Sequence, residues 1–360
     1  MKRIFVCCDS FKGTMSSFEV NEVITSELIN KGYECESLPM ADGGEGSLDI
    51  IQYSLNAKNT LVNTYTADYS PINASYFIYK NEAYIDTASA SGLVHIKPDN
   101  KKPLRLSSYG TGLLFKHVID NGIKFINFFL GGSATVDGSV GLLYGLVGEP
   151  LPITNPLLSF NSEVIKRAEK ILKGIRVNLI TDVSNPILGK NGATKVYGPQ
   201  KGATTQDVIE LENAMQDWVK YLQLNVSFDI KGINGAGAAG GIGLPFIAFN
   251  GSYILKGYEY FRNLLNYPEA INRCDIVITG EGCIDHQTMM GKGPGQLAKE
   301  ANEKGKLVIG IGGMVKEEPS VFKKVFSTFK GPFNELVINN NAKERLQIAI
   351  KEVEEYLTNC

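Results

Sequence analysis

Residues 3–38 read RIFVCCDSFKGTMSSFEVNEVITSELINKGYECESL. An apolar, β-prone run over Arg3–Cys8 ends at Asp9-Ser10. Ser16-Ser17-Phe18-Glu19 then matches a capping box, in which hydroxyl and carboxylate each take up a backbone N–H that the first helical turn leaves unpaired. Val20, Val23, Ile24 and Leu28 follow at the spacing of one helical face, and Gly32 suits a stop. Glu34–Leu38 is predicted as the next strand. Strand, loop, helix and strand in this order predict a crossover unit, the building block of a parallel sheet.

Further along, the pattern changes near residue 60. Leu61–Tyr69, Ala74–Tyr79 and Ala83–Asp86 alternate apolar and polar residues across short turns, which predicts an antiparallel meander. Phe125–Leu130 and Val177–Thr181 read as largely apolar strands, each followed by a polar loop. Thr205–Leu222 is an amphipathic helix. After Asn272 the opening rhythm returns, with strands Asp275–Thr279 and Lys306–Ile311 and a last helix near Ala342–Tyr356. At 360 residues two domains are expected. The expected fold is α/β. A Rossmann-like parallel-sheet domain, 1–60 plus 271–360, is interrupted by a second, inserted α/β domain, 61–270.

Composition excludes several functions. A formal net charge of −2 leaves no footprint for nucleic acid or an anionic membrane surface. The longest uncharged stretch, Gly232–Leu255, is broken by Pro245 and rich in Gly and Ala, so it reads as a buried turn and helix rather than a membrane span. Six cysteines without a C-x-x-C pair and only three histidines argue against a zinc finger or a secreted disulfide framework. A reducing cytoplasm is the expected compartment, and nothing in the composition opposes a homo-oligomer.

In open α/β sheets, ligands bind beyond the carboxyl ends of the strands. Collected there are Asp9-Ser10-Phe11-Lys12-Gly13, Ala41-Asp42-Gly43-Gly44-Glu45-Gly46, Gly131-Gly132-Ser133-Ala134-Thr135 with Asp137, and Asp182 with Asn185-Pro186. A fifth set is Gly280-Glu281-Gly282 with Asp285, Gln287 and Lys292. Glycines let backbone N–H groups approach an anion. Carboxylates suit Mg²⁺, a hard cation that takes oxygen ligands. Lys12 and Lys292 would neutralise phosphoryl charge, and an aspartate would accept a hydroxyl proton. Together these are the parts of a phosphotransferase. Taken singly, each loop is equally well a tight turn, and Asp9, Asp42 and Asp137 equally well helix caps.

Other motifs fail. G-x-x-x-x-G-K-[ST], the protein-kinase signatures and the hydrolase G-x-S-x-G are absent. Gly235-Ala236-Gly237-Ala238-Ala239-Gly240 fits G-x-G-x-x-G, but no buried strand precedes it and no acidic residue follows until Glu259. An NAD-dependent oxidoreductase is therefore disfavoured, and close backbone packing is expected there.

Read in order, the loops resemble those of the glycerate kinase family, of the bacterial glycerate 2-kinase type. The matching stretches are DSFKGTMSS, MADGGEGS, ASASGL, SSYGTG, GGSATVDG, TDVSNPILGKNGATKVYGPQKGAT, GAGAAGGIG and VITGEGCIDHQTMMGKGPGQLA, spread over nearly the whole chain. The resemblance implies ATP- and Mg²⁺-dependent phosphorylation of glycerate in a cleft between two domains, with the 2-position favoured by analogy. It implies Asp182, Asp42 and Lys12 as catalytic residues, with Asp182 and Asp42 as metal partners. Asp9, Ser10, Ser89, Ser107, Thr111, Gly132, Ser133, Ala134 and Asp137 would meet the substrate. Gly280, Glu281, Gly282, Asp285, Gln287 and Lys292 would meet the nucleotide. Three positions depart from the family pattern: Val136 stands for Asn, Ser139 for Gly and Cys283 for Arg. An arginine fork is not replaced by a thiol. A related hydroxy acid as acceptor, or a metabolite-binding homologue without turnover, is the alternative.

Overall fold

The structure is a computed structural model that describes residues 2–331 and 341–359, without the side chains of Gln287 and Met290. It divides into two compact units, Met1–Asp42 with Gly257–Cys360, and Gly43–Lys256.

In the first unit, β1 (Arg3–Val6), β2 (Glu34–Ser37), β9 (Ile276–Ile284), β10 (Leu307–Val315) and β11 (Lys324–Ser327) form one sheet in the order β11-β10-β9-β1-β2. Every pairing is parallel. The helix Ser17–Asn30 connects β1 to β2 and opens with the predicted capping box: Glu19 N donates to Ser16 Oγ at 3.2 Å and Ser16 N to Glu19 Oε2 at 2.7 Å. Ile4 and Val6 pack with Val20, Ile24 and Leu28 of that helix and with Leu346, Ile350 and Val353 of the helix Ala342–Thr358. Side chains alternate along a strand, so Phe5 turns to the opposite face, where its ring lies 6.3 Å from that of Tyr267. Cover on both faces explains why the strands read as unbroken apolar runs.

In the second unit, β3 (Lys58–Tyr65), β4 (Pro71–Tyr79), β5 (Glu82–Asp86), β6 (Phe125–Phe129), β7 (Arg176–Ile180) and β8 (Ile254–Leu255) pair in sequence order. The predicted meander, β3-β4-β5, is antiparallel, and β5 continues into a parallel run through β8. The meander is thus one edge of a mixed sheet. The helix Thr205–Gln223 carries the single tryptophan, Trp218, whose Nε1 donates to Gly138 O at 2.8 Å from within the core. Pro245 sits in the first turn of the helix Leu244–Asn250, and among the described residues no helix is long and apolar enough to cross a membrane.

The compact units divide elsewhere than the composition shifts near 60 and 270. The helix Ser47–Leu55 packs on β4 and β5, and the helix Tyr267–Arg273 packs on β1. Both are local elements whose membership is fixed by distant partners. The strand predicted over Asp275–Thr279 also runs further, to Ile284, because β10 pairs with it as far as Val315.

Candidate active site

A cleft of about 290 Å³ opens in the first unit at the carboxyl ends of β1, β9, β10 and β11. It gathers Asp9, Ser10, Lys12, Asp42, Glu281, Gly282 and Lys292, seven of the residues singled out by the sequence. The β1–β9 ladder extends into it: Asp9 N donates to Gly280 O at 2.8 Å, which fixes Asp9 beside Glu281. The Asp9 side chain accepts from Ser10 N at 2.7 Å. Burial first, and then the negative charge of Asp42, push the Asp9 carboxyl up to about 7; Lys12 opposes the shift and Glu281 adds to it. Lys12 Nζ lies 3.7 Å from Asp42 Oδ2, an exposed and therefore weak pair.

Glu281 is held more firmly. It is 6% exposed and accepts from Thr288 Oγ1 at 2.7 Å and from Lys292 Nζ at 2.6 Å. Lys292 is itself the N-cap of the helix Gly293–Glu303. Asp285 N donates to Thr288 Oγ1 at 3.1 Å, so Glu281, Thr288 and Asp285 brace the turn that leads into this helix. The Gln287 side chain, expected at the nucleotide, lies outside the described residues.

The reading of Gly280-Glu281-Gly282 as a loop after the strand is corrected: all three lie inside β9. Gly280 is opposite Ile311, and a Cβ on it would sit 1.7 Å from Ile311 O. That glycine is required by the close approach of β10. The Gly235–Gly240 segment shows the same cause. A Cβ at Gly240 would lie 2.2 Å from Thr135 O, which matches the expected backbone packing.

In the second unit the strand ends bring a different group together. Ser89 follows β5, Gly132 follows β6 and Asp182 follows β7; Gly132 is exposed, and Ser89 and Asp182 are partly buried. Ser89 N donates to Asp86 Oδ1 at 2.7 Å, and Gly131 N donates to Gly43 O at 3.1 Å, which lays the Gly43-Gly44 turn against the end of β6. The remaining candidates are deeper. Ser107, Thr111, Ala134 and Asp137 are wholly buried and Ser133 nearly so. Thr111 Oγ1 and Ser91 Oγ share a hydrogen bond of 2.7 Å. Asp137 Oδ2 accepts from Ser108 N at 2.6 Å and Ser108 Oγ at 2.7 Å, which ties it to the start of the helix Tyr109–Asp120. Burial raises the Asp137 carboxyl above its ordinary range despite these donors.

Lys201 was missed by sequence reading. It is only 4% exposed, and its ammonium donates to Ser133 Oγ at 2.7 Å and to Thr135 O at 2.8 Å. Burial pulls its pKa down to about 7, with Asp137 opposing the shift. Its string, GPQKGAT, has no other charge, and a lysine there reads as solvated. Nothing local signals that its partners lie more than sixty residues away.

The three departures also find their places. Val136 is buried in the apolar core. Ser139 adopts a φ of +69°, a conformation that favours glycine. Cys283 lines the cleft of the first unit, with Sγ 3.9 Å from Asp285 Oδ2.

Parallel strand ends that gather carboxylates and lysines around a cleft define an α/β enzyme of the kinase class. The chain belongs to the glycerate kinase family, whose profile matches residues 4–358. It is 34% identical to the glycerate 2-kinase of Escherichia coli K12 over 89% of this chain and 87% of that one. It is 32% identical to the glycerate kinase of Bacillus cereus over 98% and 97%. A crystal structure bearing the name glycerate kinase 2, from Salmonella typhimurium LT2, superposes with a TM-score of 0.78 at 30% identity, covering 100% of this chain and 99% of the other.

Proposed function

We propose that this protein transfers the terminal phosphoryl group of ATP to D-glycerate, giving 2-phosphoglycerate. The observation that carries this reading is the gathering of Asp9, Lys12, Asp42, Glu281 and Lys292 in one cleft, in a chain that matches the glycerate kinase family along its length. The E. coli relative's name favours the 2-position. Lys12 and Lys292 oppose phosphate charge, and the helix Gly293–Glu303 adds the positive end of its dipole.

Magnesium fits the donor residues. The charge of Asp42 raises the cost of ionising Asp9, and a divalent cation relieves that repulsion. Among the described residues no three of His, Cys, Asp or Glu converge as a cation site, but magnesium takes only one or two protein carboxylates and keeps its waters. Asp42 with Asp9 would hold it, and it would neutralise charge on the phosphates.

Ser89, Gly132 and Asp182 are the accessible acceptor candidates of the second unit, and Asp182 would take the hydroxyl proton. The test is ADP release with D-glycerate, L-glycerate, glycolate, lactate and tartronate. D-Glycerate should give the highest kcat/KM. A higher value for another acid would move the assignment to that acid, and no acid-dependent release would remove the kinase reading.

A further inference from the structure

The cleft of the first unit has two chemically different ends. One holds the carboxylates and lysines described above. The other is formed by Met314, Phe329 and Ala342, with Thr328 and Arg345 at its rim. Phosphate groups gain nothing from an apolar wall. The Arg345 guanidinium lies over the Phe329 ring, its Cζ 5.3 Å from the ring centroid, which places a cation–π pair at this end.

The platform is held in place by its own backbone. Thr328 N donates to Gly312 O at 2.9 Å and Phe329 N to Gly313 O at 3.0 Å, which continues the β10–β11 ladder past the end of β11. Ser327 Oγ donates to Phe329 O at 2.7 Å and Thr328 Oγ1 to Gly313 O at 3.2 Å. These donors are spent within the protein. The side chains that line this part of the cleft are an aromatic ring, a thioether and a guanidinium. That surface suits a flat π-system, and the lysines at the other end suit a polyanion attached to it.

We propose that Met314, Phe329 and Arg345 form the nucleobase subsite of the phosphoryl donor, with the base against Phe329 and Met314. This rests on the proposed function, which places the donor's phosphates at the polar end. The specificity it confers is for a nucleoside polyphosphate over a bare polyphosphate. Stacking on an aromatic side chain is worth about 1–3 kcal/mol per base, so losing the ring should weaken a nucleotide by roughly 5- to 150-fold.

The experiment compares calorimetric binding of ADP and of inorganic tripolyphosphate to the full chain, to Phe329→Ala and to Phe329→Tyr. Phe329→Ala should weaken ADP by that factor and leave tripolyphosphate within about twofold, while Phe329→Tyr retains both. Unchanged tripolyphosphate binding also shows that the variant's cleft is folded. Equal loss of both ligands, or no loss of ADP, overturns the subsite. If the wild-type chain binds pyrophosphate, which carries the same two phosphates without a nucleoside, as tightly as ADP, the subsite is wrong and the phosphate reading stands. If it binds neither, the phosphate reading fails and the subsite falls with it.

Discussion

Replacing Asp9 with asparagine should make the protein more stable and stop it working. The folded carboxyl titrates near 7 against an ordinary 3.8, chiefly through burial and the charge of Asp42. Between these values the folded chain holds a proton that the unfolded chain has released. Stability contributed by this group is therefore highest near pH 4 and is lost as pH rises toward 7. At 1.36 kcal/mol per unit, the ceiling is about 4 kcal/mol. Asparagine keeps an acceptor for Ser10 N, which donates at 2.7 Å, and removes the charge. Wild type and Asp9→Asn should match near pH 4, and the variant should be more stable at pH 8 by up to about 4 kcal/mol. Trp218 fluorescence would report the second unit, so the readout is amide hydrogen exchange at β1 and β9. Taking the difference between variant and wild type cancels the other titrating groups. A variant no more stable than wild type at pH 8 would refute the assignment of a buried, repelled carboxylate.

Other substitutions probe separate parts. Gly280→Ala should cost about 1–3 kcal/mol or more through displacement of β10, seen as faster exchange along both strands; a change below about 0.5 kcal/mol would contradict the close-approach reading. The Lys201 amine loses its proton near 7 when folded and near 10.5 when unfolded, so wild-type stability should rise with pH between those values. Lys201→Met should abolish that rise in urea denaturation followed by Trp218 fluorescence, and an unchanged slope would place the ammonium in solvent. Asp182→Asn should lower kcat by orders of magnitude while leaving Tm unchanged; a near-wild-type rate removes it from the mechanism.

Local chemistry made much of the fold legible. The capping box at Ser16 and Glu19, the apolar stripe from Val20 to Leu28 and the alternation of the meander each depend on neighbours in sequence. What stayed hidden depends on distant ones. Gly280 resembles a turn in sequence, and only its pairing with Ile311 makes it strand. Lys201 resembles a surface residue until Ser133 and Thr135 close over it. Ser47–Leu55 is a helix by its own sequence but joins the second unit by packing on β4 and β5. At the site, charged and glycine-rich loops announced the polar end of the cleft. Met314, Phe329 and Arg345 carry no motif and were found only by where the strands end.

The proposed reaction is tested most directly by phosphorus NMR of the product formed from D-glycerate, ATP and Mg²⁺. The account predicts stoichiometric ADP and a new monoester resonance coupled to the single proton on C2. A resonance coupled to the two protons on C3, or ATP consumption without any new phosphate ester, would contradict it.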